Sequence, residues 1–114
     1  MSTHDADLLR DTLDLLVLKA LSLEPMHGWG VAQRLERLSQ DALRIHQGSL
    51  YPSLHRLEHR GWIAAEWRIT ENNRRAKYYH LTAGGRKQLV RETYGWRRLV
   101  RAVDLILDTG SESA

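Results

Sequence analysis

The stretch from Gly48 to Gly61, GSLYPSLHRLEHRG, concentrates the side chains of this chain that could do chemistry. Three chemistries are open to it. His55 and His59 lie four apart, the spacing of two metal ligands on one helical face. No third histidine or carboxylate follows at a recognisable interval, and Glu58 falls on another side of the helix. Ser49 and Ser53 lack the glycine-flanked elbow of a serine nucleophile, and no His/Asp pairing accompanies them. The third chemistry is recognition. At 100° per residue, Leu50, Leu54 and Leu57 share one side. Ser49, Pro52, Ser53, Arg56, His59 and Arg60 fall on or near the opposite side, with Tyr51 and His55 flanking. Small residues at 49 and 53 allow close approach to a groove. Arg56 can reach a phosphate or a guanine edge, the latter worth ~1–3 kcal/mol of discrimination. The start of such a helix favours phosphate through its free amides and dipole, and Pro52 is tolerated near that start. The plain alternative is a solvated helix face with no partner.

Charge favours the third chemistry. The chain carries a formal +3, but residues 68–87 hold Arg68, Arg74, Arg75, Lys77, Arg86 and Lys87 against Glu71 alone. That local +5 leaves −2 for the remainder. A basic patch on a near-neutral body is the electrostatic footprint of a nucleic-acid binder. With 114 residues, 42% hydrophobic and 27% charged, the chain fits one globular domain. It has no cysteine, which excludes disulfides, thiolate metal sites and cysteine nucleophiles. Its first residues, MSTHDADLLRD, are acidic and unlike a signal peptide. The apolar run from Leu13 to Leu23 is interrupted and too short to cross a bilayer. A soluble cytoplasmic protein without cofactor, metal or membrane partner is expected, and not an enzyme.

The elements that must position these residues follow from periodicity. Thr12 or Asp11 is expected to cap a first helix, with Asp14 in its first turn. Leu13, Leu16, Val17, Ala20 and Leu21 form its stripe. Leu15 and Leu18 lie off it, so the helix needs cover on more than one side, a second subunit included. Glu24-Pro25 ends it. Residues 26–30 form a turn into a second helix with Val31, Leu35 and Leu38 inside. After the connection 39–46 the opening stretch forms a third helix, closed by Gly61. The period then switches to two. Ile63, Ala65, Trp67 and Ile69 share one side of a strand, residues 70–75 turn, and Ala76 to Thr82 returns with Tyr79 and Leu81 inside. Tyr78 and Tyr79 are expected to pack, although Tyr78 faces outward with His80, where it could bond a phosphate. Thr82 caps a last helix reaching Leu107, whose Leu89, Trp96, Leu99, Val103 and Ile106 repeat as a seam for another helix. This order predicts a mainly α fold with a β-hairpin wing: a winged helix-turn-helix over 8–82, a C-terminal dimerisation helix over 83–107, and a polar, disordered tail over 108–114. In such a fold the third helix enters the major groove and the hairpin reaches the backbone or minor groove.

Particular residues then carry a family resemblance. Met26-His27-Gly28-Trp29-Gly30, the run from Gln47 to Leu57, and the run from Arg75 to Thr82 with Gly85 resemble the PadR family of bacterial transcriptional regulators over roughly residues 8–90. The pattern G-[ST]-L-Y-P-x-L-x-R-L-E-x-x-G joined to K-Y-Y-x-L-T-x-x-G is far more specific than a helix-turn-helix pattern alone. The resemblance implies a homodimer that binds operator DNA, usually as a repressor released by a small molecule or stress signal. It implies that Ser49-Leu50-Tyr51-Pro52 opens the recognition helix, with Tyr51, Ser53 and Arg56 facing DNA, and that Arg74 and Arg75 tip the wing with Lys77 close behind. The dimer would be held by the first and last helices, through Leu13, Leu16, Trp96, Leu99, Val103 and Ile106. With one C-terminal helix the chain looks like the family's short type. Some short members hold flat aromatic compounds between subunits, a role open to Trp96, although packing is the plainer role for a tryptophan on an apolar seam. The expected partners are therefore double-stranded DNA, a second copy and an aromatic small-molecule effector. The alternative is a winged-helix protein-interaction module that docks a protein through its third helix and binds no operator.

Overall fold

A computed structural model describes residues 3–110 of the chain. No proline or glycine interrupts residues 3–24, and a single helix, α1, runs over Thr3–Leu23. Asp11 and Thr12 therefore lie inside this helix and do not cap it. Capping preference alone does not start a helix where the backbone upstream is equally free to coil. Pro25 then stops it, as expected. A strand of two residues, β1 (Met26–His27), leads into α2 (Gly28–Leu38). Two residues are too few to show an alternating pattern, so the sequence reads only as a turn there. The His27 side chain caps α2, its Nδ1 accepting from the Gly30 amide at 3.0 Å.

Helix α3 spans Gln47–His59, and the hairpin strands β2 and β3 span Ile63–Ile69 and Arg75–Leu81. Gly61, with φ at +77°, makes the left-handed turn between α3 and β2 that a side chain would strain. The sheet is antiparallel in the order β1-β3-β2, with Ala65 opposite Tyr79 and Ile69 opposite Arg75. Thr82 caps α4 (Ala83–Leu107), its hydroxyl accepting from the Gly85 amide at 3.0 Å.

The core gathers around α1. Val17, Leu18, Ala20 and Leu21 meet Val31, Ala32 and Leu35 of α2, Leu50, Leu54 and Leu57 of α3, and Ile63, Tyr79 and Leu81 of the sheet. Each fully buried leucine contributes about 1.5–3 kcal/mol, so Leu50, Leu54 and Leu57 decide which edge of α3 points inward. Two expectations fail at the margins. Leu38 sits on the last turn of α2 and is 58% exposed, because the chain turns away at Gln40 and Asp41, both at positive φ. Trp67 and Ile69 share a face of β2 with Ile63, yet they are exposed. The outer half of the hairpin extends past the core.

Of the polar tail, residues 108–110 form a turn; 111–114, also expected to be disordered, lie outside the described residues. The start of α4 is pinned by a close approach. A Cβ on Gly85 would sit 1.9 Å from the Trp62 carbonyl oxygen. At Gly84 the nearest atom would be 3.7 Å away. Gly85→Ala is accordingly expected to lose about 1–3 kcal/mol, while Gly84→Ala gains up to about 1 kcal/mol of helix propensity. Urea denaturation separates the two, and equal midpoints would refute the close-approach explanation.

Candidate nucleic-acid interface

On α3, the leucine edge is buried and Ser49, Tyr51, Pro52, His55 and His59 are exposed. The Tyr51 ring leans across the start of α2, where a Cβ on Gly28 would come within 3.0 Å of it. The ring is half-exposed beside the outer edge of α3. No side chain caps the first turn of α3; the His46 carbonyl accepts from the Ser49 and Leu50 amides at 3.0 and 2.9 Å. Pro52 lies beyond that first turn, at the sixth residue of α3, because α3 begins at Gln47. The Gly48 carbonyl consequently lacks its helical donor, and Gly48 is exposed, so water can supply one.

Two residues expected on the outward face are not there. Ser53 is 0% exposed, and its hydroxyl donates to Asp14 Oδ1 of α1 at 2.5 Å. Its angle on the helix places it beside Leu50 and Leu57, and the nearby α1 closes over it. Arg56 is half-buried, and Asp14 engages its guanidinium along one edge, Nη2 to Oδ1 at 2.7 Å and Nε to Oδ2 at 3.1 Å. These hydrogen bonds raise the Arg56 pKa above the ordinary arginine value, partial burial opposes the rise, and the charges of Asp14 and Asp11 add to it. The sequence could not show this, because Asp14 and Arg56 are 42 positions apart.

The wing divides its basic residues in the same way. Lys77 Nζ reaches Glu58 Oε1 of α3 at 3.3 Å and lies over the Tyr79 ring at 5.4 Å. Burial acts to lower the Lys77 pKa, but the Glu58 hydrogen bond and the charges of Tyr79 and Glu58 outweigh it and the net shift is upward. Burial raises the Tyr79 phenol, against the opposing charge of Lys77. Lys77 thus ties the wing to α3. Arg68 pairs with Glu66 at 2.5 Å and stacks on Tyr78. Tyr78 also meets the His27 ring edge-on, so on the outer face of β3 it is a packed, partly covered residue. Arg74 and Arg75 remain exposed at the tip, Arg75 over the Trp67 ring at 5.0 Å. The tip is shaped by Asn73 at positive φ and by Thr70, whose amide donates to the Arg74 carbonyl at 2.7 Å. Arg44, exposed in the loop before α3, lines a cavity with Ser49 and Pro52 at the start of that helix. Sequence reading passed over it because the connection carries no period.

The expected subunit face is also redistributed. Leu13 is buried in the chain's own core and, with Leu16, lines a cavity of about 510 Å³ between α1, the loop before α3 and Pro52. The side of α1 toward α4 is marked instead by Asp11, Thr12 and Leu15, which line a second cavity of about 380 Å³ with Trp96 and Leu99. A helix apolar over most of its girth does not declare which edge meets which neighbour. On α4, Trp96 is 41% exposed, Leu99, Val103 and Ile106 are more open or equally so, and Gly85 is the one buried residue among those described.

Among the described residues no three histidine, aspartate or glutamate side chains gather where they could hold a metal ion. None of the helices among the described residues is long and apolar enough to cross a membrane.

This arrangement of four helices and a small antiparallel sheet is that of winged-helix regulators. The family profile described as the transcriptional regulator PadR-like family matches residues 17–91. A protein of Mycobacterium tuberculosis named as a transcriptional regulator is 32% identical over 94 residues, spanning 82% of this chain and 84% of its own. The crystal structure of a PadR family transcriptional regulator from Eggerthella lenta is 32% identical and covers 94% of this chain and 91% of that one, with a TM-score of 0.77. A PadR-like transcriptional regulator from Bacillus cereus is 25% identical, covering 89% and 96%, with a TM-score of 0.74.

The inward setting of Ser53 has a direct test. Ser53→Ala removes only the hydroxyl and with it the bond to Asp14, so stability should fall by about 1–3 kcal/mol. Ser49→Ala, on the exposed face, should stay within about 0.5 kcal/mol of the parent. Thermal denaturation of both variants would show equal losses if Ser53 faced water.

Proposed function

The chain belongs to the transcriptional regulator PadR-like family, and on that footing we propose that it binds a pseudo-palindromic DNA operator as a homodimer, represses transcription there, and is released by a small molecule or stress signal. The observation that supports this most is the placing of α3. Its leucine edge is buried, its opposite edge carries exposed Ser49, Tyr51 and Pro52, and the Lys77–Glu58 pair fastens a basic wing beside it. A helix set in this way is suited to the major groove, with the wing tip on the phosphates.

In this reading Ser49 and Tyr51, with the uncapped first turn of α3, meet bases and phosphates, while Pro52 lets the helix approach closely. Arg74, Arg75 and Arg44 supply sequence-blind attraction. Ser53 serves inside the protein, and Lys77 braces the wing. The second copy covers the apolar face of α4, where Trp96, Leu99, Val100, Val103, Ile106 and Leu107 would otherwise stand in water. Two α3 helices about one duplex turn apart, ~34 Å, would then read inverted half-sites. The cavity beside Trp96 is of a size for a flat aromatic effector. The protein would act in the cytoplasm, without a cofactor.

Selection of bound duplexes from a random DNA pool, with sizing of the complex, tests the proposal. An inverted repeat carrying two protomers is the expected product. Weak, sequence-blind binding by folded protein would remove base readout and leave α3 to a protein partner. Arg74→Ala and Arg75→Ala should each weaken binding to operator and scrambled duplex alike, and each should flatten the salt dependence by about one unit of slope. Tyr51→Ala should instead reduce preference for operator over scrambled DNA, read in the same titrations.

A further inference from the structure

We propose that Asp14 is a positioning residue for DNA recognition: from the middle of α1 it sets the rotation of α3 through Ser53 and Arg56, and it holds Arg56 back from the DNA. The inference rests on the DNA-binding reading above.

Asp14 uses both carboxylate oxygens. Oδ1 accepts from the Ser53 hydroxyl at 2.5 Å and from Arg56 Nη2 at 2.7 Å, and Oδ2 accepts from Arg56 Nε at 3.1 Å. Ser53 and Arg56 are three apart, so they lie on one face of α3 about a turn from each other. Rotating α3 about its axis, or sliding it along α1, must lengthen at least one of these bonds. The leucine contacts resist such motions less sharply, because burial of apolar area is non-directional while hydrogen bonds weaken steeply with angle. Ser53 is fully buried, and its oxygen must keep a partner inside the protein. Asp14 is that partner.

The same carboxylate neutralises Arg56. A phosphate or guanine would have to displace a carboxylate already seated along one edge of the guanidinium. Arg56 therefore acts through α3's placement and not as a base reader. Both helices then matter to the operator as a whole. The adjoining side of α1, at Leu15, lies against Trp96 and Leu99 of α4, the apolar face offered to a second copy. Fixing α3 on α1 fixes the two recognition helices relative to each other, and hence the half-site spacing the dimer accepts.

The test compares the parent with Asp14→Asn, Arg56→Met and Ser53→Ala, each at a temperature where circular dichroism reports a fully folded protein. Three titrations are run on the selected operator, on a scrambled duplex, and on operators with the central spacer lengthened or shortened by one base pair. Asp14→Asn should lose about tenfold in operator affinity, the loss expected for a hydrogen bond to a charged group. Its affinity for scrambled DNA should hold or rise, with a salt slope steeper by about one, as Arg56 is released to a phosphate. Its penalty for a wrong spacer should shrink. Arg56→Met should match the operator loss and the relaxed spacing without the steeper slope. Ser53→Ala, which deletes one of the three bonds, should shift the same readouts less, and it carries the test if Asp14→Asn fails to fold.

A folded Asp14→Asn protein with parental affinity and spacing preference overturns the proposal. So does an Arg56→Met protein that loses preference at one base position only, since that marks Arg56 as a direct reader. A purely structural ion pair would lower the melting temperature and leave the spacer preference as it was. If the parent protein itself selects no operator, the DNA-binding reading has failed and this inference falls with it; a parent that selects an operator isolates the role of Asp14.

Discussion

From Leu13 to Leu23 the 21-residue helix α1 is apolar around most of its girth, and such a surface cannot stand in water. No single neighbour can cover it. α2, α3, α4 and β3 all pack on it, and burial of Leu18 and Leu21 together with Leu50, Leu54 and Leu57 is the largest attractive term in so small a domain. Covering α1 is what brings the three-helix head, the sheet and the start of α4 together. It also leaves the far side of α3 outside, because only one edge of a helix can meet α1. Where α4 starts against the Trp62 carbonyl, between α3 and β2, the chain has Gly85.

Polar groups then refine what apolar burial sets coarsely. Leucines can hold α3 against α1 over a range of small rotations, and directional bonds from Asp14 narrow that range. The same logic runs through the wing, where Lys77 spans to Glu58 and Arg68 to Glu66. Several cations that look available in the sequence are thus already partnered. The formal charge overstates the positive surface offered to a ligand, and Arg44, Arg74 and Arg75 carry more of it than the local composition suggests. Exposed pairs of this sort are each worth only about 0–1 kcal/mol, so they orient the wing more than they stabilise it.

Helix α4 contrasts with the rest. It runs from Gly85 along α1 and carries a long apolar face beyond the body of a molecule that measures 63 Å against 29 and 24 Å. A regulator that places two recognition elements on one duplex needs a rigid connection between subunits, and a long helix with an uncovered apolar face is suited to that. Membership of a family of transcriptional regulators and the geometry of α3 and α4 therefore point the same way.

The order of elements was legible in the sequence alone, since it depends on local signals. The 3.6-residue repeat of Leu50, Leu54 and Leu57, the period-two run from Ile63, the Pro25 stop, the left-handed Gly61 and the Thr82 cap each act within a few residues. The motif around Ser49 and Tyr51 was legible for the same reason. Thr12 was misread as a cap because an upstream helix with no breaker leaves no local mark of where it starts, and β1 was missed because two residues have no period. Tertiary structure alone decided which polar residues face in. At 100° per residue Arg56 lies off the leucine edge and Ser53 at its margin, but a side chain so placed goes to whichever neighbour satisfies it, and Asp14 is 39 and 42 positions away. Likewise, only packing could assign Leu13 to the core and Leu15 to the α4 side. Periodicity fixes which residues share an edge of a helix; the identity of what meets that edge depends on contacts between segments distant in the chain.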